Sequence, residues 1–277
     1  MRLSTDEREA LNAYVCRHVE GRGYVIVSVG AESHHTTARF ARHAESVGAD
    51  MVMAIPPVLT RLDEKALFDY YRGLCEETAL PVVVQDASGY LGSMMPLSVQ
   101  ADLLAQFGDR VYFKPEASPI GPRLGALMTI TGGRARVFEG TGGIALVDSY
   151  RRGAIGTMPA ADVCWSIRAL WDALVSGDER RVDAISGPLC RLISFQSDLD
   201  IFVAAEKYLL KRQGVFGNDI VRGPSDLGCR PVRTASGKRS KVSSSPVAIT
   251  MRRPAACSAA MASGVLALMG SDTASSP

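Results

Sequence analysis

From residue 3 to about residue 213, short apolar runs alternate with longer amphipathic stretches, and that alternation leaves few folds open. The apolar runs fall at 24–29, 51–55, 81–86, 111–114, 135–139 and 154–157. Each is rich in Val, Ile, Met or Phe and too short for a helix, so each reads as a strand. Helical spacing fills the intervals at 3–20, 36–47, 63–78, 96–107, 122–130 and 143–152. Ser4 or Thr5 can cap the first helix, Gly48 can stop the second, and prolines open two of the others. Three more helices are expected at about 161–176, 178–197 and 200–213. Ile167, Leu170, Trp171 and Leu174 recur at helical spacing and predict a packed face.

Strands that alternate with helices of this length form parallel βαβ units. The runs are continuously apolar, as expected where both faces of a sheet are covered. The pattern therefore predicts an α/β fold, either an open doubly wound sheet or a (β/α) barrel. A closed barrel needs about eight strands, and only six are found here. The chain also begins on a helix.

Composition narrows the function classes. With 47% apolar and 22% charged residues and a formal net charge of +2, the chain has material for a large core. It carries no excess charge for a polyanion, so no nucleic-acid partner is expected. No run of about 18 apolar residues is present, so no membrane span is expected. Cys16, Cys75, Cys164, Cys190, Cys229 and Cys257 are scattered and form no C-x-x-C pair. They predict buried or free thiols rather than a zinc site or a disulfide framework. The polar N-terminus has no signal-peptide core, and a cytoplasmic location follows as the expectation. After residue 220 the composition turns to Ser, Ala, Arg, Pro and Gly with no aromatics and no period. The expected organisation is one domain over 1–220, C-terminal helices included, and a low-complexity, disordered tail over 221–277. Its basic clusters (Lys238-Arg239, Lys241, Arg252-Arg253) read as solvated charge.

Lys114 stands out because it ends an apolar strand, and lysine is rarely buried without a reason. At the carboxyl end of a parallel strand it would lie where barrel active sites are built. Low dielectric there favours the neutral amine, which can attack a carbonyl. The alternative is a lysine that snorkels out or pairs with Glu116 or Asp86. His34 and His35, expected in a loop, have no third ligand at a recognisable spacing, so no metal site follows. The glycines at 132–133 and 140–143 lack a nucleotide-loop context and read as tight turns.

The segment Val111-Tyr-Phe-Lys-Pro-Glu-Ala-Ser118 resembles the sixth-strand motif of the dihydrodipicolinate synthase and N-acetylneuraminate lyase family, G-[IV]-K-[ED]-[AS]-S. Three other segments are similar to family motifs in the same order: Leu3-Ser-Thr-Asp-Glu-Arg, His43 to Asp50, and Gly153-Ala-Ile-Gly-Thr157. Gly140-Thr-Gly142 is similar to the G-x-[DG] end of the seventh strand. The resemblance covers roughly 3–220 and implies a (β/α)8 TIM-type barrel, here incomplete with six βα units. It implies that Lys114 forms a Schiff base with a 2-oxo acid. It further implies that the Ile155 carbonyl, Gln85, Gly140 and Thr141 line the substrate site, that no cofactor is needed, and that the protein forms a homo-oligomer.

Departures from the family matter as much. The first two strands and the G-[ST]-T-G-E loop that grips the keto-acid carboxylate are not found before Leu3. Two missing strands would leave unpaired, aggregation-prone edges. Where the family has a tyrosine proton relay, this chain has Gln85, and an amide is neither acid nor base. The strand-four tyrosine is also missing, at Pro56-Pro57-Val58. Asp86 could serve as a base, but holding the loop is its expected role. The expected function is a class I aldolase-type lyase or dehydratase acting on a 2-oxo or sugar acid. A catalytically impaired remnant and a non-catalytic interaction module are the alternatives.

Overall fold

A computed structural model describes residues 3–87, 94–196, 198–223, 225 and the backbone of 268–269. Six strands, β1 (Ile26–Ser28), β2 (Met51–Ala54), β3 (Val82–Asp86), β4 (Val111–Pro115), β5 (Phe138–Glu139) and β6 (Gly156–Thr157), follow one another in chain order. Strands β1 to β4 pair in parallel as one sheet, and β5 pairs in parallel with β6. A parallel bridge between Phe113 and Val137 carries the order across from β4 to β5. There the Phe113 amide donates to the Arg136 carbonyl at 2.9 Å, and the Ile155 amide to the Val137 carbonyl at 2.9 Å. Among the described residues, no pairing joins β1 to β6. The backbone of β7 (Leu268–Met269) runs antiparallel along β6. The rest of the expected tail beyond residue 225, basic clusters included, lies outside the described residues.

Helices cover the strands. They are α1 (Thr5–Val19), α2 (His34–Ser46), α3 (Glu64–Glu77), α4 (Leu97–Phe107), α5 (Ile120–Ile130), α6 (Leu146–Arg151), α7 (Cys164–Ser176), α8 (Glu179–Ser194) and α9 (Leu199–Arg212). Their starts follow local chemistry. Ser4 and Glu7 form a reciprocal capping box on α1, and Ser33, Asp63 and Asp178 cap α2, α3 and α8 with side-chain oxygens. His34 and His35 do not lie in a loop; they open α2, because Ser33 accepts the Thr36 amide at 3.2 Å and starts the helix early.

The strand side chains divide between two clusters, as a period of two requires. Val27, Val52, Val82, Val84, Val111, Phe113 and Val137 pack outward against Phe40, Tyr71, Leu74, Leu103 and Leu124 of the helices. Ile26, Met51, Met53, Val83 and Phe138 form a second cluster, with Tyr112 and Ile155 packed on it. This is the inner face, and Tyr112 stacks on Phe138 there at 5.6 Å between ring centroids. Ile167, Leu170, Trp171 and Leu174 form the predicted packed face and meet Val182 and Leu189 of α8.

One buried group makes stability depend on pH. Asp162 follows β6, is 1% exposed, and has no hydrogen-bond partner for either carboxylate oxygen among the described residues. Burial, reinforced by the Glu206 carboxylate on α9, pushes it up to about 6. Below the ordinary carboxylate range the group is protonated folded and unfolded, and nothing is lost. As the pH rises through about 6, the unfolded chain has already released a proton that the fold retains, so stability falls. Asp162→Asn is therefore expected to melt like the parent near pH 4 and several degrees higher at pH 8, a gain of roughly 2 kcal/mol. Paired thermal melts across that range check it; a difference independent of pH would contradict the assignment.

Candidate active site

The site grows from the register of β3 and β4. Val83 pairs with Tyr112, and two residues on, Gln85 pairs with Lys114. Val83 and Tyr112 belong to the inner cluster, so Gln85 and Lys114 share that face one layer nearer the carboxyl ends of the strands. Pro115 restricts Lys114 to extended backbone, which keeps the strand straight at the lysine. The ladder resumes beyond it, where the Glu116 amide donates to the Asp86 carbonyl at 3.0 Å.

Extended backbone brings Glu116 back to the side of Lys114. The Lys114 ammonium donates to Glu116 Oε1 at 2.5 Å, and both side chains are 11% exposed. The Gln85 amide Nε2 donates to the same oxygen at 2.9 Å. One carboxylate oxygen thus accepts from an amine and an amide on neighbouring strands. Gly140, just past β5, forms the opposite wall. A Cβ there would come within 2.8 Å of both Cγ and Cε of Lys114 and 3.0 Å of Glu116 Oε1. Only glycine leaves room for the lysine stem at that point. Gly140→Ala is expected to displace Lys114 and to reduce activity at least about tenfold, the scale of a small misplacement of a reacting group. Steady-state rates against an unchanged circular-dichroism spectrum test this, and wild-type rates would contradict it.

The other residues singled out in the sequence lie around this group. The Thr141 amide and hydroxyl both donate to Glu139 Oε1, the amide at 2.6 Å, and the Thr141 hydroxyl accepts the Ala145 amide at 3.2 Å. Ile155 lies beside Val137, whose carbonyl accepts the Ile155 N–H, and packs on the inner cluster. Asp86 alternates to the other face. There it accepts from Arg123 Nη2 at 3.2 Å and from the Met95 amide at 3.3 Å, which ties the chain after β3 to α5. This is the loop-holding role expected of it. His34 lies 3.9 Å from Glu77 on the surface. Among the described residues, no cluster of three or more His, Cys, Asp or Glu side chains could hold a metal ion. No helix among them is long and apolar enough to cross a membrane.

Glu116 is the residue whose part sequence reasoning understated. It entered only as a partner that could neutralise Lys114. Its i+2 spacing from a strand lysine was the available signal, since i and i+2 share a face. Its bond to Gln85 depends on inter-strand register, which no local pattern carries.

Comparison with known proteins bears on the fold and the class of reaction. The model of the Dihydrodipicolinate synthetase family matches residues 1–227. An L-2-keto-3-deoxyarabonate dehydratase of Azospirillum brasilense is 27% identical over 226 residues, which cover 80% of this chain and 72% of that protein. A 4-hydroxy-tetrahydrodipicolinate synthase of Alkaliphilus oremlandii is 32% identical over 95 residues, so the match spans only 34% of this chain and 33% of that relative. Among solved structures, dihydrodipicolinate synthase from Rhodopseudomonas palustris superposes with a TM-score of 0.73 at 24% identity, covering 81% of this chain and 76% of that one. The enzyme from Bacteroides thetaiotaomicron gives 0.71 at 19% identity, covering 80% and 76%. At these identities the structural likeness speaks for the fold, which is that of the TIM-type barrel. The family and these relatives are aldolase-type lyases and dehydratases.

Proposed function

Because the chain belongs to the Dihydrodipicolinate synthetase family, we propose that it is a Schiff-base dehydratase acting on a 2-keto-3-deoxy sugar acid, with Lys114 as the imine-forming amine and Glu116 as its acid and base. The observation that carries this reading is the single Glu116 oxygen that accepts from both Lys114 and Gln85. Gln85 stands where the family resemblance expects the tyrosine, and the carboxylate bonded to it is the group that can take and give a proton.

The chemistry follows from that placement. Glu116 takes a proton from the Lys114 ammonium, and the neutral amine adds to the substrate's C2 carbonyl. A proton passes from nitrogen to the former carbonyl oxygen, Glu116 returns the proton it took to that hydroxyl, which leaves as water, and an iminium remains with Glu116 again ionised. The iminium acidifies C3, so Glu116 can remove a C3 proton to give an enamine. Return of the electron pair expels the C4 hydroxyl, and Glu116 supplies the proton with which it departs as a second water. Hydrolysis of the imine frees the product and restores the lysine. Gln85 holds Glu116 through a neutral bond and takes no proton itself. Met51, Met53 and Phe138 form an apolar floor on the same face of the sheet as the lysine. Dehydration is favoured over carbon–carbon cleavage because the Azospirillum brasilense relative, matched over 226 residues, is named a dehydratase.

Incubation with L-2-keto-3-deoxyarabonate, followed by mass spectrometry, tests the proposal. Dehydration yields one product lighter by the mass of a water. Aldol cleavage instead yields pyruvate and a short hydroxyaldehyde. Cleavage products in place of the dehydrated one, or absence of both with this and related 2-keto-3-deoxy acids, would contradict the proposal.

A further inference from the structure

Glu139 has no part in the scheme above, yet it is an unusual residue to bury. It closes β5, is 1% exposed, and no lysine or arginine pairs with it among the described residues. A buried carboxylate without a counter-ion is costly unless its lone pairs are well filled. Here three donors fill them. The Thr141 amide (2.6 Å) and Thr141 hydroxyl donate to Oε1, and the Thr157 hydroxyl donates to Oε2 at 2.9 Å. Thr157 is the register partner of Glu139 on β6, and Thr141 also caps the approach to α6 through the Ala145 amide. One carboxylate therefore joins the end of β5, the turn after it and the neighbouring strand.

The residue inside the turn is Gly140. Its Cα lies against the Lys114 stem, so closely that a Cβ would meet both Cγ and Cε at 2.8 Å. A lysine stem has many rotamers, and a reacting amine needs one of them. We propose that Glu139 is a positioning residue for Lys114: by fixing the Gly140 turn against β6, it holds the wall that keeps the lysine beside Glu116. This rests on the reading of Lys114 as the imine-forming residue, and the test below separates the two.

The full-length chain is labelled with limiting acetic anhydride in the absence of any 2-oxo acid. Peptide mass spectrometry then gives acetylation at Lys114 relative to Lys65, whose side chain is 85% exposed. Glu139→Ala is expected to raise the Lys114/Lys65 ratio about five-fold, the equivalent of losing one net hydrogen bond. Glu139→Gln keeps an acceptor for Thr141 and a polar contact for Thr157, and is expected to return the ratio toward wild type. A folded Glu139→Ala protein with the wild-type ratio would overturn the proposal. Should that variant not fold, Thr157→Val removes one bond only; a smaller rise supports the proposal and an unchanged ratio overturns it. Trapping with pyruvate and borohydride is run in parallel on the same proteins. If the wild type traps nothing on Lys114, the functional reading fails, while the labelling ratio still decides the role of Glu139.

Discussion

Lys114→Ala is expected to reduce turnover to background, a loss on the order of 10⁴-fold or more, because it removes the amine of the proposed covalent step. Lys114→Arg should be as inactive. Guanidinium stays protonated at any working pH and cannot supply a lone pair to a carbonyl. The two variants separate chemistry from packing. Alanine empties the space beside Gly140, whereas arginine keeps a cation near Glu116 Oε1, the oxygen that the lysine ammonium meets at 2.5 Å. If arginine retained a large part of the activity, Lys114 would be an electrostatic contact and the imine scheme would be wrong.

Glu116→Gln should divide the reaction at its second stage. The amide can still bond to Gln85 but can neither take nor return a proton. Turnover is expected to fall by about 10²–10⁴-fold, the range for loss of a general acid–base group. Imine formation should survive at a reduced rate, since the amine remains in place and bulk solvent can deprotonate it. Borohydride trapping and product formation, measured on the same sample, check this directly. Loss of both to the same extent would make Glu116 an activator of the lysine alone. Loss of neither would remove it from the chemistry.

The residues reveal their fold more readily than their site, and the reasons are physical. The six apolar runs predict six strands because a strand covered on both faces must be apolar throughout; five of β1 to β6 fall inside those runs and β4 extends one residue past its run, to Pro115. The run at 135–139 narrows to Phe138–Glu139, since 136 and 137 make only single ties to the neighbouring strands. The histidines at 34 and 35 lie in a helix rather than a loop because Ser33 caps α2 ahead of its first apolar residues, and its hydroxyl bonds the Thr36 hydroxyl three positions on. Lys114 is conspicuous locally, as a charge at the end of Val111-Tyr-Phe. Gly140 is conspicuous too, in a glycine-rich turn. The bonds that give these residues a purpose are not local. Gln85 meets Glu116 across a gap of 31 positions, and Glu139 meets Thr157 across 18. Each bond depends on which strand residue lies opposite which, and register is set by the whole packed sheet.

The central claim is that Lys114 forms an imine with a 2-oxo acid, and one measurement tests it most directly. The protein is incubated with pyruvate, reduced with borohydride, digested and sequenced by mass spectrometry. A reduced pyruvyl adduct on Lys114, absent without pyruvate and absent from Lys114→Ala, is the predicted result. An adduct on a different lysine, with Lys114 unmodified at high pyruvate and alkaline pH, would contradict it.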